Sequence, residues 1–452
     1  MRKKNQKQLP LMEPESAYTQ EIELDIISSI IDSSPTISDY ALQDINKGKA
    51  IIKDTGAEGM SADQILRSAI IKQLFGFSYV QLAFHIYDSR ALRRFCRIGF
   101  ADKGFKKSAL NANIKCLSER TWQLINRDLI DHAKEEGFEK GRKVRMDCTV
   151  VESNIHPPSD SAQLWDCVRV LSRLTQKAQS AVNVKIIFSD HQRVAKRRMI
   201  GIQYAKTNKQ RKPLYKNLLK YTRKTIGYAK NAQHLLETHP SNIESFILAD
   251  ELNHYIALSE KVYDQAYRRV IKDESVPSDQ KVVSIFEDHT DIIVKDNRDT
   301  YYGHKICLTG GASNLILDCQ ILKGNPADTQ LVEQMLDRQK QIYDRYPLKV
   351  ALDGGFASKE NLLKAKEREI KDICFAKKRG LKETDMCRSE YVYNKLRRFR
   401  AGIESGISWL KRSFGLTRCT WKGFESFKCY VLSSVVAANL VTMARKKMAE
   451  SA

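Results

Sequence analysis

Apolar positions along this 452-residue chain change their period repeatedly. From Glu21 to about Glu136 they recur at three and four positions, the spacing of one helical face. Ser61, ahead of Ile65, Leu66, Ala69, Ile70 and Leu74, predicts a capped helix that Gly76 ends, with a second helix opening at Ser78. Helix, glycine turn, helix is the outline of a helix-turn-helix. The second segment carries Arg90, Arg93, Arg94 and Arg97, so a DNA-reading role competes there with plain helical packing or dimerisation. His85, among apolar neighbours, reads as a packed side chain.

At Lys143 the period becomes two. In KVRMDCTVV, Met146, Cys148 and Val150 share one face while Arg145, Asp147 and Thr149 share the other, as in a strand. Asp147 is therefore a carboxylate on a core strand. Helical spacing returns from about Asp160 to Gln280, and the strand period resumes after Asp288 with HKICLT and NLILDCQIL flanking GGAS, a hairpin with a glycine turn. A helix over about 327–342 precedes LKVALDGGF, in which Asp353 ends a strand at Gly354 and Gly355. Asp-Gly is also common turn chemistry. A helix from Ser358 to about Glu369, the short strand DICFA and the basic KKRGLK lead to a last helix over 396–414. At about 100° per residue that helix brings Arg397, Arg400, Glu404 and Lys411 within roughly 60° of one another. Leu396, Phe399, Ile403, Ile407, Leu410 and Phe414 form its apolar stripe. Taken alone, Arg400 and Glu404 also read as a solvated helical ion pair.

The expected architecture is α/β, a mixed sheet covered by helices in which hairpin strands come first and parallel crossovers after. It divides into a loose tail over 1–20, a helical N-terminal region over 21–140 for DNA binding or dimerisation, a core made of 141–159 and 285–452, and a basic helical insertion over 160–284.

Charge changes the picture. Lys and Arg total 76 against 54 Asp and Glu, a formal charge of +22, which points to a polyanion such as nucleic acid. From His191 to Lys230 there are thirteen Lys or Arg and no Asp or Glu, with Tyr204, Tyr215, Tyr221 and Tyr228 interleaved. A surface that tracks phosphates has that mixture, and Arg197, Arg198, Arg211 and Lys212 are its candidate DNA contacts. The alternative is a solvated helical face. The N-terminus lacks the apolar core of a secretory signal, and Cys429 to Met443 is shorter than a bilayer needs, so a buried helix and a cytoplasmic, nucleoid-associated protein with no membrane partner are expected. Ten cysteines with no CxxC pair fit free thiols, and His304, Cys307 and Cys319 read as core residues, not zinc ligands.

No P-loop, GxGxxG or nucleophile elbow is present. Asp147, Asp353 and Glu404 would repel one another unless a hard cation joined them; Mg²⁺ takes such oxygen ligands and leaves positions open for phosphate. Arg400, Glu404 and Lys411 have the spacing of a motif of Tyr, two residues, Arg, three residues, Glu, six residues, Lys, with Arg397 at the tyrosine position. With MDCTVVESNIHPPSDS around Asp147, YYGHKICLTG, GNPAD, LDGGF around Asp353 and the stretch from Met60 to Leu117, the chain resembles insertion-sequence transposases of the DDE class, whose core has the ribonuclease H fold. The resemblance implies Asp147, Asp353 and Glu404 as catalytic metal ligands for Mg²⁺, with Mn²⁺ able to substitute, and Arg400, Lys411 and Arg397 near the cleaved phosphate. It implies cutting at the element's terminal inverted repeats, then joining of 3′-hydroxyls to target DNA, by a homodimer or higher oligomer on double-stranded DNA. A metal-dependent nuclease that cuts without joining, and a catalytically inactive DNA-binding regulator, are the alternatives. In several relatives the insertion lies between the second Asp and the Glu; here it follows Asp147, and 51 positions separate Asp353 from Glu404.

Overall fold

The computed structural model describes residues 18–47, 59–99, 102–182, 184–238, 240, 243–295 and 299–451, so the expected loose tail at 1–20 lies outside the described residues but for its last three positions. The N-terminal region is helical: α1 (Thr19–Asp32), α2 (Thr36–Asn46), α3 (Ala62–Phe75), α4 (Tyr79–Asp88), α5 (Arg90–Phe95), α6 (Lys107–Ile114) and α7 (Glu119–Glu135). Capping decides its boundaries. Ser61 with Gln64, and Ser78 with Gln81, form reciprocal capping boxes at the starts of α3 and α4, and Gly76 closes α3 in the left-handed conformation (φ +65°). Arg67 is fully buried and ties three helices together through Asp32, Asp63, Ser28 and the Phe95 carbonyl. The arginines for which DNA reading competes with packing have partners within the protein: at the surface Arg94 pairs with Asp25 and Arg97 with Asp32 and Asp63, and Arg93 donates to the Asp102 carbonyl. His85 is half-buried and stacks on Phe77.

After β1 (Lys143–Glu152) come α8 (Asp160–Ala181), α9 (Gln192–Tyr204), α10 (Asn208–Thr238) and α11 (Ile243–Val270), with no strand among the described residues of 160–280. These four helices build a hydrophobic core of their own from residues such as Leu171, Leu174, Leu218, Ile226, Leu252 and Val262. The strands then resume as β2 (Asp291–Lys295), β3 (Asp299–Gly310) and β4 (Ile316–Ile321), followed by α12 (Val332–Tyr343), β5 (Lys349–Leu352), α13 (Lys359–Glu367), β6 (Asp372–Phe375), α14 (Glu383–Met386), α15 (Glu390–Ser413) and α16 (Phe424–Ser451).

One mixed sheet runs β2-β3-β1-β5-β6, with β4 also paired to β3. β1 is antiparallel to β3 and parallel to β5, and β5 is parallel to β6. β1 is therefore central and covered on both faces, which is why Val144, Arg145 and Met146 are all buried although their side chains alternate. α15 packs on β1, β5 and β6 through Tyr393, Leu396, Ile403 and Leu410. It begins at Glu390, six residues before the expected start, because the Ser389 hydroxyl caps it by accepting from Val392 N–H. α16 is also longer than expected. Its length and composition would suit a membrane span, but 89% of its most apolar window is buried inside the protein, where it packs on α7, α1 and α3.

Candidate active site

Two parallel strands bring the first pair of carboxylates together. Met146 pairs with Leu352 in the β1–β5 register, so the residues that follow stand at the same level, Asp147 within β1 and Asp353 just past the end of β5. The turn after Asp353 is packed tightly, and its glycines are there for room: a Cβ at Gly354 would come within 2.6 Å of the Lys377 stem, and one at Gly355 within 2.6 Å of Asp328. Space, and not a positive φ, accounts for the Asp-Gly-Gly sequence.

α15 supplies the third carboxylate. Arg400 donates from Nη1 to Asp353 Oδ1 at 3.0 Å and from Nη2 to Glu404 Oε1 at 2.7 Å, so a single guanidinium bridges the β5 end and the helix. The helical ion pair that periodicity allows is present, but it is half of a three-residue bridge. Asp147 differs. Its Oδ1 accepts from the Cys148 N–H at 2.8 Å, and burial pushes its carboxyl up to about 6, with the charge of Asp353 adding to the rise and Arg400 and Lys295 opposing it.

Cations surround the group. A cavity of about 590 Å³ opens beside Asp353, lined by Lys377, Asn394, Arg397, Arg398 and Arg400. Arg397 is exposed there, in the position of the motif's tyrosine. Lys411, two turns beyond Glu404, is half-buried; burial and then Lys295 lower its pKa, while Glu152 at the end of β1 opposes them. Sequence reasoning passed over Lys377 and Arg398, and also Arg145 and Gly402. A glycine inside an amphipathic helix was the available signal for the last.

The other candidate cations lie on α9 and α10 and differ in their surroundings. Arg197 is exposed and Arg198 half-buried, whereas Arg211 donates to the Ala205 carbonyl and Lys212 pairs with Asp273 at 3.0 Å. The interleaved tyrosines also divide: Tyr204 is exposed, while Tyr221 and Tyr228 pack against His191. A groove of about 700 Å³ between α10 and α11 instead lines up Lys216, Lys220, Arg223 and Lys224 opposite Tyr263 and Tyr267, whose rings stack at 6.2 Å. The aromatic half comes from a different helix, beyond the acid-free window.

Asp147, Asp353 and Glu404 offer only carboxylate oxygens, the donor chemistry of a hard divalent ion, and among the described residues Asp147 has no cationic hydrogen-bond partner of the kind its two companions have in Arg400. That set fits a metal in its chemistry. Among the described residues no three acidic, His or Cys side chains already form a ligand cage, consistent with Arg400 standing between two of the carboxylates. His304, Cys307 and Cys319 are buried; His304 bonds to His289 and Asp291, with no such cage around it.

Two family models match the sequence. "Transposase DDE domain" covers residues 279–440, and "Transposase domain (DUF772)" covers residues 13–116. The first spans Asp353 and Glu404; β1 with Asp147 lies in neither. No curated protein and no solved structure matches.

Proposed function

We propose, for a chain that belongs to the DDE transposases of insertion sequences, that Asp147, Asp353 and Glu404 are its catalytic carboxylates and that they hold Mg²⁺, or Mn²⁺ in its place. The observation that carries this reading is the Arg400 bridge between Asp353 and Glu404 beside an Asp147 that register sets next to Asp353. Strand order supports a ribonuclease H-like core: the hairpin strands β3 and β4 lie to one side of β1, and the parallel strands β5 and β6 to the other. In this reading the α8–α11 helices are an insertion into that core after its first strand.

Bound divalent ions would supply water activation and stabilise the leaving oxygen of a phosphodiester. The chain's own residues do the rest. Arg400 releases one or both carboxylates as ligands and turns to the phosphate, where a planar guanidinium can hold two oxygens. Arg397, Arg398 and Lys377 line the path of the DNA strand toward Asp353, and Lys411, on the same helix as Glu404, adds a further cation for the phosphates. Cutting at terminal inverted repeats exposes 3′-hydroxyls, and those hydroxyls attack target DNA, with an oligomer of this cytoplasmic protein bringing two ends together.

The test is purified protein with DNA carrying its own flanking repeats and Mg²⁺. Cut ends joined to a target plasmid are expected. Cutting without joining would make the protein a nuclease of the same fold, and no cutting with retained end binding would make it a regulator.

A further inference from the structure

We propose that Arg145 is a positioning residue for the reaction: it locks the rotation of α15 against β1 and so sets Glu404 opposite Asp147. Arg145 lies on the central strand two residues before Asp147, and therefore on the same face. It is 5% exposed, and among the described residues no carboxylate pairs with it. Glu139 acts on it only through space, so burying the guanidinium without an ion-pair contact is costly and its direct contacts must offset that cost.

Most of those contacts converge on one turn of α15, and one reaches the β3–β4 turn. Nη1 donates to the Phe399 carbonyl at 2.9 Å, and the guanidinium lies over the Phe399 ring, 4.6 Å from its centre. Nη2 donates to Asn314 Oδ1 at 2.6 Å, in the β3–β4 turn. A Cβ at Gly402 would overlap Nη1 and lie 2.6 Å from Cζ; one at Gly310, opposite Arg145 on β3, would meet Ile403 at 2.9 Å and Arg145 Nε at 3.4 Å. Two glycines, one in a strand and one in a helix, thus open the socket. Phe399 and Gly402 flank Arg400 and stand just before Glu404. The helix is gripped from within by Arg145 at the turn where Arg400 reaches outward to Asp353.

A helix that slips by one residue turns each side chain by about 100°. Glu404 is exposed and is held only by Arg400 on the same helix, so its aim follows the rotation of that turn. A planar fork can serve Phe399 and Asn314 together, whereas a lysine ammonium on its single stem cannot span both.

The proposal rests on the reading of Glu404 as a metal ligand, and the experiment separates the two. Arg145→Met, Arg145→Lys, Asn314→Gly and Glu404→Gln would be compared for Mn²⁺ binding by electron paramagnetic resonance of the free ion, for end binding and for the Mg²⁺ concentration giving half-maximal cleavage. Asn314 has a left-handed backbone (φ +70°), so glycine there removes only the acceptor and keeps the fold. About tenfold weaker Mn²⁺ binding and a similar rise in Mg²⁺ requirement are expected for both Arg145 variants, and about threefold for Asn314→Gly, with end binding within about twofold of the parent. Excess Mg²⁺ should restore part of the rate, which loss of fold would not allow. Unchanged Mn²⁺ binding in Asn314→Gly and in whichever Arg145 variants fold, beside an inactive Glu404→Gln, overturns the role of Arg145 alone. An active Glu404→Gln with unchanged Mn²⁺ binding overturns the parent reading.

Discussion

The carboxylate rim and the α8–α11 helices both carry cations, and they hold them in opposite ways. At the rim two guanidiniums are fixed by named partners: Arg400 spans Asp353 and Glu404, and Arg145 spans Phe399 and Asn314. Along α10 the cations Lys216, Lys220, Arg223 and Lys224 stand exposed on one groove wall. Fixed geometry implies effects that are large and do not add, because the groups act as one unit. Exposed charge implies effects that are modest, additive and sensitive to salt. The two regions are thus distinguished by how they fail.

The largest expected effect is at the rim. Asp147→Asn or Asp353→Asn should each lower cleavage of repeat DNA by about a thousandfold, equivalent to roughly 4 kcal/mol of transition-state stabilisation. The double variant should be hardly worse than either single one. Losses that multiplied would show that the two carboxylates act separately, and would remove the contrast with the helical lobe.

A smaller effect is expected in the α10–α11 groove. Replacing Lys216, Lys220, Arg223 and Lys224 with glutamine should weaken binding to any DNA sequence and flatten the salt dependence by about 0.9 per lost phosphate contact. The corresponding change at Arg197, Arg198, Arg211 and Lys212 should do less, since Arg211 and Lys212 already have partners within the protein. Equal salt slopes for the two variants would mean that the whole face meets DNA and that the groove has no special role.

The smallest effect concerns the joint between the regions. His156, just after β1, meets Asp166 of α8 at 2.8 Å, and that hydrogen bond raises its pKa above the usual 6.5, against the cost of partial burial. A raised histidine pKa adds stability that is fully present below the unfolded value and fades as pH rises through the folded value. Melting temperatures of the parent and His156→Ala should therefore differ most below about pH 6.5 and converge above it. A constant difference across pH would show that packing, not charge, makes the joint.

These regions also differ in how far the sequence discloses them. Alternation around Asp147, the strand end at Asp353 and the stripe on α15 are local patterns, and strands and a helix form there because each buries a periodic face. The start of α15 at Glu390 was missed because a serine cap outside the apolar stripe sets it. Arg145 sits in plain alternation with Asp147, yet its meaning lies in Phe399, Gly402 and Asn314, far away along the chain. Charge composition pointed to residues 191–230, but it could not say which cations the fold uses internally. Nor could it find Tyr263 and Tyr267, which arrive from α11 to complete the groove.

The central claim is that Glu404 completes a metal-binding carboxylate set. Glu404→Gln keeps the size of the side chain and can still accept a hydrogen bond from Arg400, while removing the charge that would hold a hard cation. The decisive measurement is the rate at which this variant cuts and joins DNA bearing its flanking repeats, with end binding followed in the same samples. Binding within about twofold of the parent, cleavage lower by about a thousandfold in Mg²⁺ and partial recovery in Mn²⁺ are the predicted results. Cutting and joining at near the parent rate would contradict the account, and would turn the search for the third carboxylate to Glu390 and Glu383.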